Sequence, residues 1–475
     1  MKNSQSQLIL GLALACAALT FSLAVRAQAQ TFSNLSVFDG TNGNQPSTVI
    51  QATDGNFYGV TGYGGAAQKG NVARITPSGE VTSIYDFCSQ LHCRDGATPD
   101  TPPVLGSDGN LYGVTVSGGS ATNGLDGWGT VYKMTLAGQI TTLHIFCKAT
   151  PCVDGTHPVG IMQASDGNLY GTTFGGGGPN DSGVLFRITT SGGFTVLHTF
   201  CSLANCADGA WSTDPPIQGN DGSLIGTAGT NNGGVVWALT PAGQFNLVHS
   251  FTCGGDPCPR GAGPKPVVQD ANGNLFGTTT GGGDFADGTM FEITAAHQFM
   301  VLHSFNTGAD EGFPSALTLA NDGNFYGTTG GINGVGTIFQ ITPAGALALL
   351  YAFAPQSGDS LPYTGLFQAP NGKFYGGAGG SVFNSDGAIY SLDNNLSPLV
   401  QPVPRAGKVG KSVIILGNGL SGTTSVTFNG VQAAFTVESD TYIKATVPKS
   451  ATTGMVSVFT PAGTLNSNPQ FVVTK

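Results

Sequence analysis

The chain has 475 residues, of which only 9% are charged, and its net charge is −10. So few lysines and arginines argue against nucleic acid as a partner, because phosphate backbones are bound by basic surfaces. A hydrophobic content of 40%, placed in regular short runs, can bury a large core and excludes a disordered chain in spite of 74 glycines.

The first 29 residues have the pattern of a secretory signal peptide. A basic start at Lys2 precedes an apolar run over 8–25 and an A-x-A site that ends at Ala29. No later apolar run approaches the roughly 20 residues of a transmembrane helix. We therefore expect cleavage after Ala29 and a mature protein that is secreted or held at the cell surface, with the periplasm as the alternative compartment.

A phrase of the form D/N-G-x-x-Y/F/I-G recurs seven times at intervals of 49 to 58 residues. Repeats of roughly 50 residues that are rich in β-formers and glycine are typical of four-stranded propeller blades. Calcium binding is one interpretation of the Asp side chains. However, Asn replaces Asp in two copies, and a tight turn already accounts for Asp or Asn at this position, so we interpret these residues as turn formers. The copies start at Asp54, Asp108, Asp166, Asp221, Asn272, Asp322 and Asn371.

Each repeat contains four strand signals. An Asp/Asn-Gly turn joins the first two strands, and a Pro-x-Gly turn joins the third and fourth in several copies. The last repeat lacks a fourth strand, whereas a strand of that type stands alone near the front of the chain, from Phe32. We therefore predict an all-β fold in which residues 30–398 form a seven-bladed β-propeller closed by the N-terminal strand.

Residues 399–475 have a different pattern. Short strand signals follow each other at the spacing of a β-sandwich, and Asn429-Gly430 is a strong hairpin turn. This segment predicts a separate, small, immunoglobulin-like β-sandwich.

Eight cysteines form four C-x4-C pairs, each directly after the fourth strand of a repeat. Zinc is the competing interpretation, but it requires four ligands to converge, and equivalent loops of neighbouring blades are spread around a ring. Local disulfides formed in an oxidising compartment are favoured instead. The predicted pairs are Cys88 with Cys93, Cys147 with Cys152, Cys201 with Cys206, and Cys253 with Cys258.

The repeated wording DGNLYG-T-T, G-T-V-F-x-I-T and V-L-H-S-F resembles the GloVer tandem repeat of bacterial cell-surface proteins over about residues 32–392. The tail, with V-T-F-N-G, A-T-V-P and T-P-A-G, resembles an IPT/TIG immunoglobulin-like domain over 405–475. The resemblance implies secretion and surface display, and the repeat family carries no activity that it would transfer to this chain.

Candidate binding residues lie in the long connections of the repeats. In an up-and-down blade, the connections from strand two to three and from strand four to the next blade share one face, and such loops carry function on a rigid scaffold. Exposed aromatic rings beside Asp or Asn suit sugar rings, although Trp128 and Trp211 could instead only cap loops. The candidates are Tyr63, His92, Asp126, Trp128, His157, Trp211, Asp284 and Phe285.

The sequence favours a monomeric, non-enzymatic binding or structural protein whose ligand is a polysaccharide or another surface protein. It predicts no catalytic residue, metal or cofactor, and the recurring histidines of the fourth strands (His144, His198, His249, His303) are interpreted as packing residues. The alternative is a polysaccharide lyase or glycoside hydrolase that uses carboxylates of the same face, with Asp126, Asp284 and Asp287 as candidates.

Overall fold

The computed structural model describes residues 30–119, 127–230, 233–253, 258–331, 336–353, 361–362, 364–379 and 386–474. The signal peptide expected over residues 1–29 lies outside them, as does Asp126. Within these ranges the regular structure is β apart from two single 3-10 turns, Leu91–Cys93 and Ala204–Cys206. The all-β expectation is confirmed.

The described residues between 30 and 393 form seven antiparallel sheets, numbered 1 to 7 in the order of their Asp/Asn-Gly turns. Within each sheet the second strand pairs with the first and the third, and the third pairs with the fourth; in sheets 1, 5 and 7 the first strand consists of two short segments that both pair with the second. Sheets 1 to 3 contain β2 (Asn44–Pro46), β3 (Ile50–Gln51), β4 (Phe57–Tyr63), β5 (Asn71–Ile75) and β6 (Val81–Asp86); β7 (Val104–Leu105), β8 (Leu111–Thr115), β9 (Thr130–Met134) and β10 (Ile140–Ile145); and β11 (Thr156–Gln163), β12 (Leu169–Gly175), β13 (Val184–Ile188) and β14 (Phe194–Thr199).

Sheets 4 to 7 repeat the same arrangement, and the N-terminal strand joins sheet 7. They contain β15 (Ile217–Gln218), β16 (Leu224–Ala228), β17 (Gly233–Leu239) and β18 (Phe245–Thr252); β19 (Ala262–Pro264), β20 (Val268–Gln269), β21 (Leu275–Gly281), β22 (Thr289–Ile293) and β23 (Phe299–Ser304); β24 (Thr318–Leu319), β25 (Phe325–Thr329), β26 (Thr337–Ile341) and β27 (Leu347–Ala352); and β28 (Leu361–Pro362), β29 (Phe367–Gln368), β30 (Phe374–Gly379), β31 (Ala388–Asp393) and β1 (Thr31–Val37).

The N-terminal strand β1 supplies the outer strand of sheet 7. It pairs antiparallel with β31, in a register that runs from Thr31 opposite Asp393 to Val37 opposite Ala388. Phe32 of β1 stacks on Tyr351 of sheet 6 with ring centroids 3.7 Å apart. The two ends of the repeat region are therefore held in one sheet.

Buried apolar clusters lie between successive sheets and not within single sheets. One cluster, for example, joins Tyr112 and Val131 of sheet 2 to Phe186 of sheet 3. Another joins Tyr375 of sheet 7 to Phe57 of sheet 1. Each sheet thus buries both of its faces against neighbours, which explains why the third strands are buried at four of their five positions.

A glutamine at the end of the first strand links neighbouring sheets at four boundaries, and we call this contact the glutamine latch. Its side-chain oxygen accepts a hydrogen bond from a backbone N–H of the preceding sheet, and its amide nitrogen donates to the turn glycine of its own sheet. The oxygen contacts are Gln163 to Ser107 (2.8 Å), Gln218 to Ser165 (2.9 Å), Gln269 to Asn220 (2.7 Å) and Gln368 to Asn321 (3.2 Å).

The boundary between sheets 7 and 1 departs from this pattern. Gln51 occupies the latch position and donates to Gly55 at 2.9 Å, but its Oε1 is buried without a hydrogen-bond partner among the described residues. The residue of sheet 7 that should donate is Pro370, which has no N–H. One amide oxygen is therefore left unsatisfied at this boundary.

The C-terminal residues form a second β unit with a core of its own, which includes Val413, Ile415, Val426 and Phe471. Its sheets are separate from the seven described above. Their strands are β32 (Gln401–Val403), β34 (Ser412–Leu416), β38 (Tyr442–Thr446) and β37 (Phe435–Ser439); the parallel pair β33 (Ala406–Lys408) and β41 (Val472–Thr474); and β36 (Val431–Gln432), β35 (Ser425–Phe428), β39 (Val456–Thr460) and β40 (Gly463–Asn466).

The C-terminal unit packs on the tight-turn ends of the sheets, where the Asp/Asn-Gly turns lie. Ile414 and Leu416, on the opposite face of β34 from Val413 and Ile415, belong to the buried cluster of sheets 1 and 2 that contains Tyr58. Three hydrogen bonds from the C-terminal unit accompany this apolar contact. Thr441 donates to Thr53 O (2.7 Å), Asn468 donates to Leu319 O (2.9 Å), and Gln401 donates to Gln368 O (2.5 Å).

Candidate functional site

At the tight-turn ends, side chains that recur in the repeats form hydrogen bonds with one another. In four copies the turn aspartate accepts a hydrogen bond from the tyrosine hydroxyl four residues later, and its other oxygen accepts from the backbone N–H two residues later. For Asp54 these distances are 2.8 Å to Tyr58 and 3.1 Å to Asn56. Among the described residues no group of three or more His, Cys, Asp or Glu side chains could hold a metal ion. These aspartates stabilise turns, as their spacing predicts.

The long-loop ends carry the exposed aromatic side chains. Five phenylalanine, tyrosine or tryptophan side chains are exposed in the described part of 30–393, and each lies in or beside a connection from strand two to three or from strand four to the next sheet. These residues are Tyr63, Trp128, Phe174, Phe285 and Phe313.

Trp128 and His157 are the two predicted residues that the fold brings into ring contact. Their ring centroids are 5.0 Å apart with an interplanar angle of 89°, an edge-to-face arrangement. Burial lowers the pKa of His157, and the carboxylate of Asp181 opposes that shift. The imidazole is therefore neutral at pH 7, and the pair presents an aromatic surface of which Trp128 is the exposed part, at 41%.

His157 and Trp211 occupy equivalent positions of successive sheets. Both have left-handed backbone conformations, with φ of 52° and 50°. Each N–H donates across the boundary to the preceding sheet, from His157 to Trp128 O (2.9 Å) and from Trp211 to Ser182 O (2.9 Å). A positive φ is uncommon for residues other than glycine and is held here by the hydrogen bond.

The same position recurs at other boundaries, where the sequence analysis did not single it out. In each case the residue directly precedes a proline (Ser212 in sheet 4), either before or within the first strand. It has a positive φ, and its N–H donates to a carbonyl of the preceding sheet. These residues are Gln45 (φ 56°, to Asp386 O), Thr98 (φ 49°, to Lys69 O) and Phe313 (φ 51°, to Asp287 O). The x-Pro pattern in the sequence is the signal that could have found them.

The remaining predicted residues lie at the long-loop ends without converging on one point. Tyr63 ends β4 and is 50% exposed, and Phe285 is 54% exposed in the loop after β21. His92 is exposed inside the first 3-10 turn with φ of 61°. Trp211 is half-buried, whereas Trp237, in a third strand, is fully buried as expected for a core residue.

The carboxylates named for the enzymatic alternative have different surroundings. Asp284 is exposed. Asp287 is half-buried, and its Oδ2 accepts hydrogen bonds from the backbone N–H and the hydroxyl of Thr307, at 2.8 and 3.0 Å. This carboxylate therefore ties two loops together.

The recurring histidines pack across the boundaries. His144, His198 and His249 stack on an aromatic ring of the next sheet at centroid distances of 3.9, 3.7 and 4.1 Å. His144, His198 and His303 also pair with an aspartate of the following loop, at 2.9 to 3.0 Å. Their role is packing and loop anchoring.

His249 is the exception among these histidines. Arg260 stands where the other loops have the paired aspartate, and the Nε2 of His249 is buried without a partner among the described residues. Burial, together with the nearby Arg260 charge, lowers the pKa of His249 to about 4.

All four C-x4-C pairs are disulfide-bonded. Each bridge closes a short loop at the long-loop end of its sheet. In the loop after sheet 1, the buried carboxylate of Asp95 accepts from the hydroxyl of Tyr85 at 2.7 Å and from the backbone N–H of Ser89 at 3.0 Å. The bridges and the buried aspartates together fix these loops.

No helix in the described ranges is long and apolar enough to cross a bilayer. No curated protein sequence matches this chain significantly.

Solved structures resemble the chain at low sequence identity. The extracellular domain assigned to a hybrid two-component system of B. thetaiotaomicron has 11% identity and a TM-score of 0.45, with 91% of this chain and 57% of that chain covered. A protein assigned as a gluconolactonase has 13% identity and a TM-score of 0.38, covering 78% and 94%. A luciferin-regenerating enzyme has 11% identity and a TM-score of 0.39, covering 77% and 95%.

Family models match nearly the whole chain. The model of the Gloeobacter/Verrucomicrobia repeat matches residues 18–228 and 212–430. The IPT/TIG domain model matches residues 400–473, the segment that forms the C-terminal β unit. The predicted resemblance is confirmed: the chain belongs to the Gloeobacter/Verrucomicrobia repeat family and ends in an IPT/TIG domain.

Proposed function

We propose that the seven sheets are the blades of a closed β-propeller, residues 30–398, followed by the IPT/TIG domain, residues 399–475. The boundary between sheets 7 and 1 supports this because it repeats two contacts of the other boundaries. Gln45 donates to Asp386 O at 3.0 Å, as His157 does to Trp128. A Cβ on Gly387 would approach Pro46 Cδ at 2.6 Å, just as one on Gly129 would approach Pro158 Cδ at 2.5 Å.

The propeller serves as a secreted or cell-surface binding protein without enzymatic activity. Its binding surface is the long-loop face, and a polysaccharide is its ligand. The observation that carries this proposal is the position of the exposed phenylalanine, tyrosine and tryptophan side chains, all five of which lie at the long-loop ends of the described repeats. Exposed aromatic groups that cluster on one side of a protein mark interaction sites.

The opposite face has a different role in this proposal. The IPT/TIG domain packs on the tight-turn ends of sheets 1, 2, 6 and 7 through Ile414, Leu416 and the polar contacts around them. A large ligand therefore reaches the propeller from the long-loop side. The four disulfides support an oxidising, extracytoplasmic location.

Sugar rings are favoured as ligands because they present flat C–H faces to aromatic rings and hydroxyl groups to neighbouring polar side chains. Trp128 offers such a ring, held by its contact with His157. Hydrolysis of a polysaccharide would in addition require two carboxylates roughly 5 to 9.5 Å apart. The carboxylate of Asp287 instead accepts two hydrogen bonds from Thr307, which favours binding over hydrolysis.

A glycan-array screen tests the proposal. Wild-type protein is compared with Trp128→Ala, Trp211→Ala and the control Phe459→Ala, which removes an exposed aromatic ring from the IPT/TIG domain. An aromatic contact contributes about 1 to 1.5 kcal/mol, so Trp128→Ala should weaken binding about five- to tenfold while the control binds normally. Absence of signal on every glycan, or an equal loss in the control, would contradict a carbohydrate ligand on this face; a surface protein would then be the partner to seek.

A further inference from the structure

A cleft lies at the outer boundary between sheets 1 and 2, and none of the exposed aromatic residues of the proposed binding face lines it. It encloses about 230 Å³ and is lined by side chains of two disulfide-closed loops and of the strand between them. Pockets for drug-sized ligands are larger, at about 300 to 1,000 Å³. The lining residues are Gln90, Arg94, Thr142, Leu143, His144, Ile145 and Lys148.

Two cations line this cleft without an ion pair to a described residue. Arg94 and Lys148 are exposed, and neither forms an ion pair with a described residue. The chain has only 17 lysines and arginines. The convergence of two unpaired cations is therefore a local departure from an acidic protein.

The carboxylates near the cleft are already occupied. Asp95 is fully buried and accepts hydrogen bonds from Tyr85 and Ser89. Asp154 pairs with His144 at 2.9 Å and accepts from the backbone N–H of Cys147 at 3.1 Å. Neither carboxylate forms an ion pair with Arg94 or Lys148.

The lining is positioned by rigid parts of the fold. The disulfide Cys88–Cys93 closes the loop that holds Gln90 and precedes Arg94, and the disulfide Cys147–Cys152 closes the loop that holds Lys148. Thr142 lies at a register shift between β10 and β9, a feature that redirects side chains. Groups that are fixed before binding lose less entropy when a ligand arrives.

Among the equivalent boundaries, only this one has both positive charges. In the next two disulfide loops Val153 and Ala207 stand at the position of Arg94, and in the first and third loops Ser89 and Ser202 stand at the position of Lys148. The repeat therefore does not require either cation for its fold.

We propose that this cleft binds a single acidic sugar unit, a uronate residue of an anionic polysaccharide. The planar guanidinium of Arg94 matches a carboxylate with two parallel hydrogen bonds, and the ammonium of Lys148 supplies a second positive charge. The hydroxyl of Thr142 and the amide of Gln90 are placed for the sugar hydroxyls. This site is independent of the aromatic surface on the long-loop face.

Isothermal titration calorimetry of the mature protein with tetragalacturonate at low ionic strength tests the proposal. The variant Arg94→Gln/Lys148→Gln should weaken binding at least about tenfold, and added salt should weaken binding to wild type. Lys411→Gln/Lys449→Gln, which removes the same charge from exposed positions of the IPT/TIG domain, should bind like wild type. Trp128→Ala should also bind normally, which separates this site from the proposed aromatic surface.

Three results would overturn the proposal. Wild-type protein could fail to bind tetragalacturonate, the two double variants could lose affinity equally, or inorganic phosphate could displace the oligosaccharide at equal concentration. The last result would assign the cleft to small anions and not to a sugar.

Discussion

The two ends of the sheets are built from the same repeat, yet they differ in what they expose. At the tight-turn end, repeated side chains hydrogen-bond to one another, as Asp54 does with Tyr58, and the IPT/TIG domain covers part of the surface. At the long-loop end, equivalent positions carry different residues, such as His157, Trp211 and Phe313. Residues that recur in every repeat stabilise the fold, and residues that differ at one position of the repeat are the candidates for recognition.

Removal of the N-terminal strand β1, which joins the two ends of the repeat region, should reduce the stability of the protein the most. Deletion of residues 30–38 removes β1 and its pairing with β31, together with the stack of Phe32 on Tyr351. Burial of each large apolar side chain contributes about 1.5 to 3 kcal/mol, so we expect a loss of roughly 5 kcal/mol or more, or failure to fold. Thermal unfolding followed by circular dichroism measures this loss of stability.

A truncation that removes only residues 1–29 is the control for this deletion. If the protein that begins at residue 39 melted at the same temperature as this control, the N-terminal strand would not close the repeat region, and the proposed closed propeller would be wrong.

Substitution of the latch glutamines at the tight-turn end should reduce stability less, and by an amount that differs between boundaries. Gln218→Leu leaves the N–H of Ser165 and the carbonyl of Gly222 without their partner, which should cost about 1 to 3 kcal/mol. Gln51→Leu should cost less, because the Oε1 of Gln51 already lacks a partner opposite Pro370. Denaturant unfolding of the two variants measures the difference, and equal losses would show that the hydrogen bond across the boundary adds no stability.

The smallest expected effect concerns His249 at the long-loop end and depends on pH. Its pKa of about 4 in the folded protein lies below the ordinary value of about 6.5, so its contribution to stability is present above pH 6.5 and is lost as the pH falls towards 4. Because part of the ring faces solvent, we expect a loss of only about 1 to 2 kcal/mol between pH 7 and 5.

His249→Phe keeps the stacking on Phe299 but cannot bind a proton, so its stability should fall less over this pH range than that of wild type. Urea unfolding at pH 7 and pH 5 compares the two proteins. Arg260→Asp, which restores the His–Asp pair of the other loops, should also reduce the loss; identical pH profiles for all three proteins would contradict the assignment.

Much of the architecture could be read from the sequence because the repeat is local. The Asp/Asn-Gly turns predict the hairpins, the C-x4-C spacing predicts short disulfide loops, and the incomplete last repeat predicts the pairing partner of the strand around Phe32. The candidate site was harder to predict. Phe174 and Phe313 are as exposed as the predicted aromatic residues, but they occupy positions where other repeats have unrelated side chains.

The position of the IPT/TIG domain was not predicted, although the sequence contains a signal for it. Val413 to Leu416 form a continuous apolar run where a strand with one solvated face would alternate. The structure explains the run, because Val413 and Ile415 face the domain's own core and Ile414 and Leu416 face sheets 1 and 2.

The sequence by itself determined the strands, the turns and the loop bridges, since each depends on residues that are close together in the chain. Only the tertiary structure decided which residues meet across the boundaries between sheets: the contact of Trp128 with His157, the unsatisfied oxygen of Gln51 opposite Pro370, and the cleft that Arg94 and Lys148 share. These contacts join residues about 30 to 320 positions apart, and the pattern within a single repeat contains no information about them.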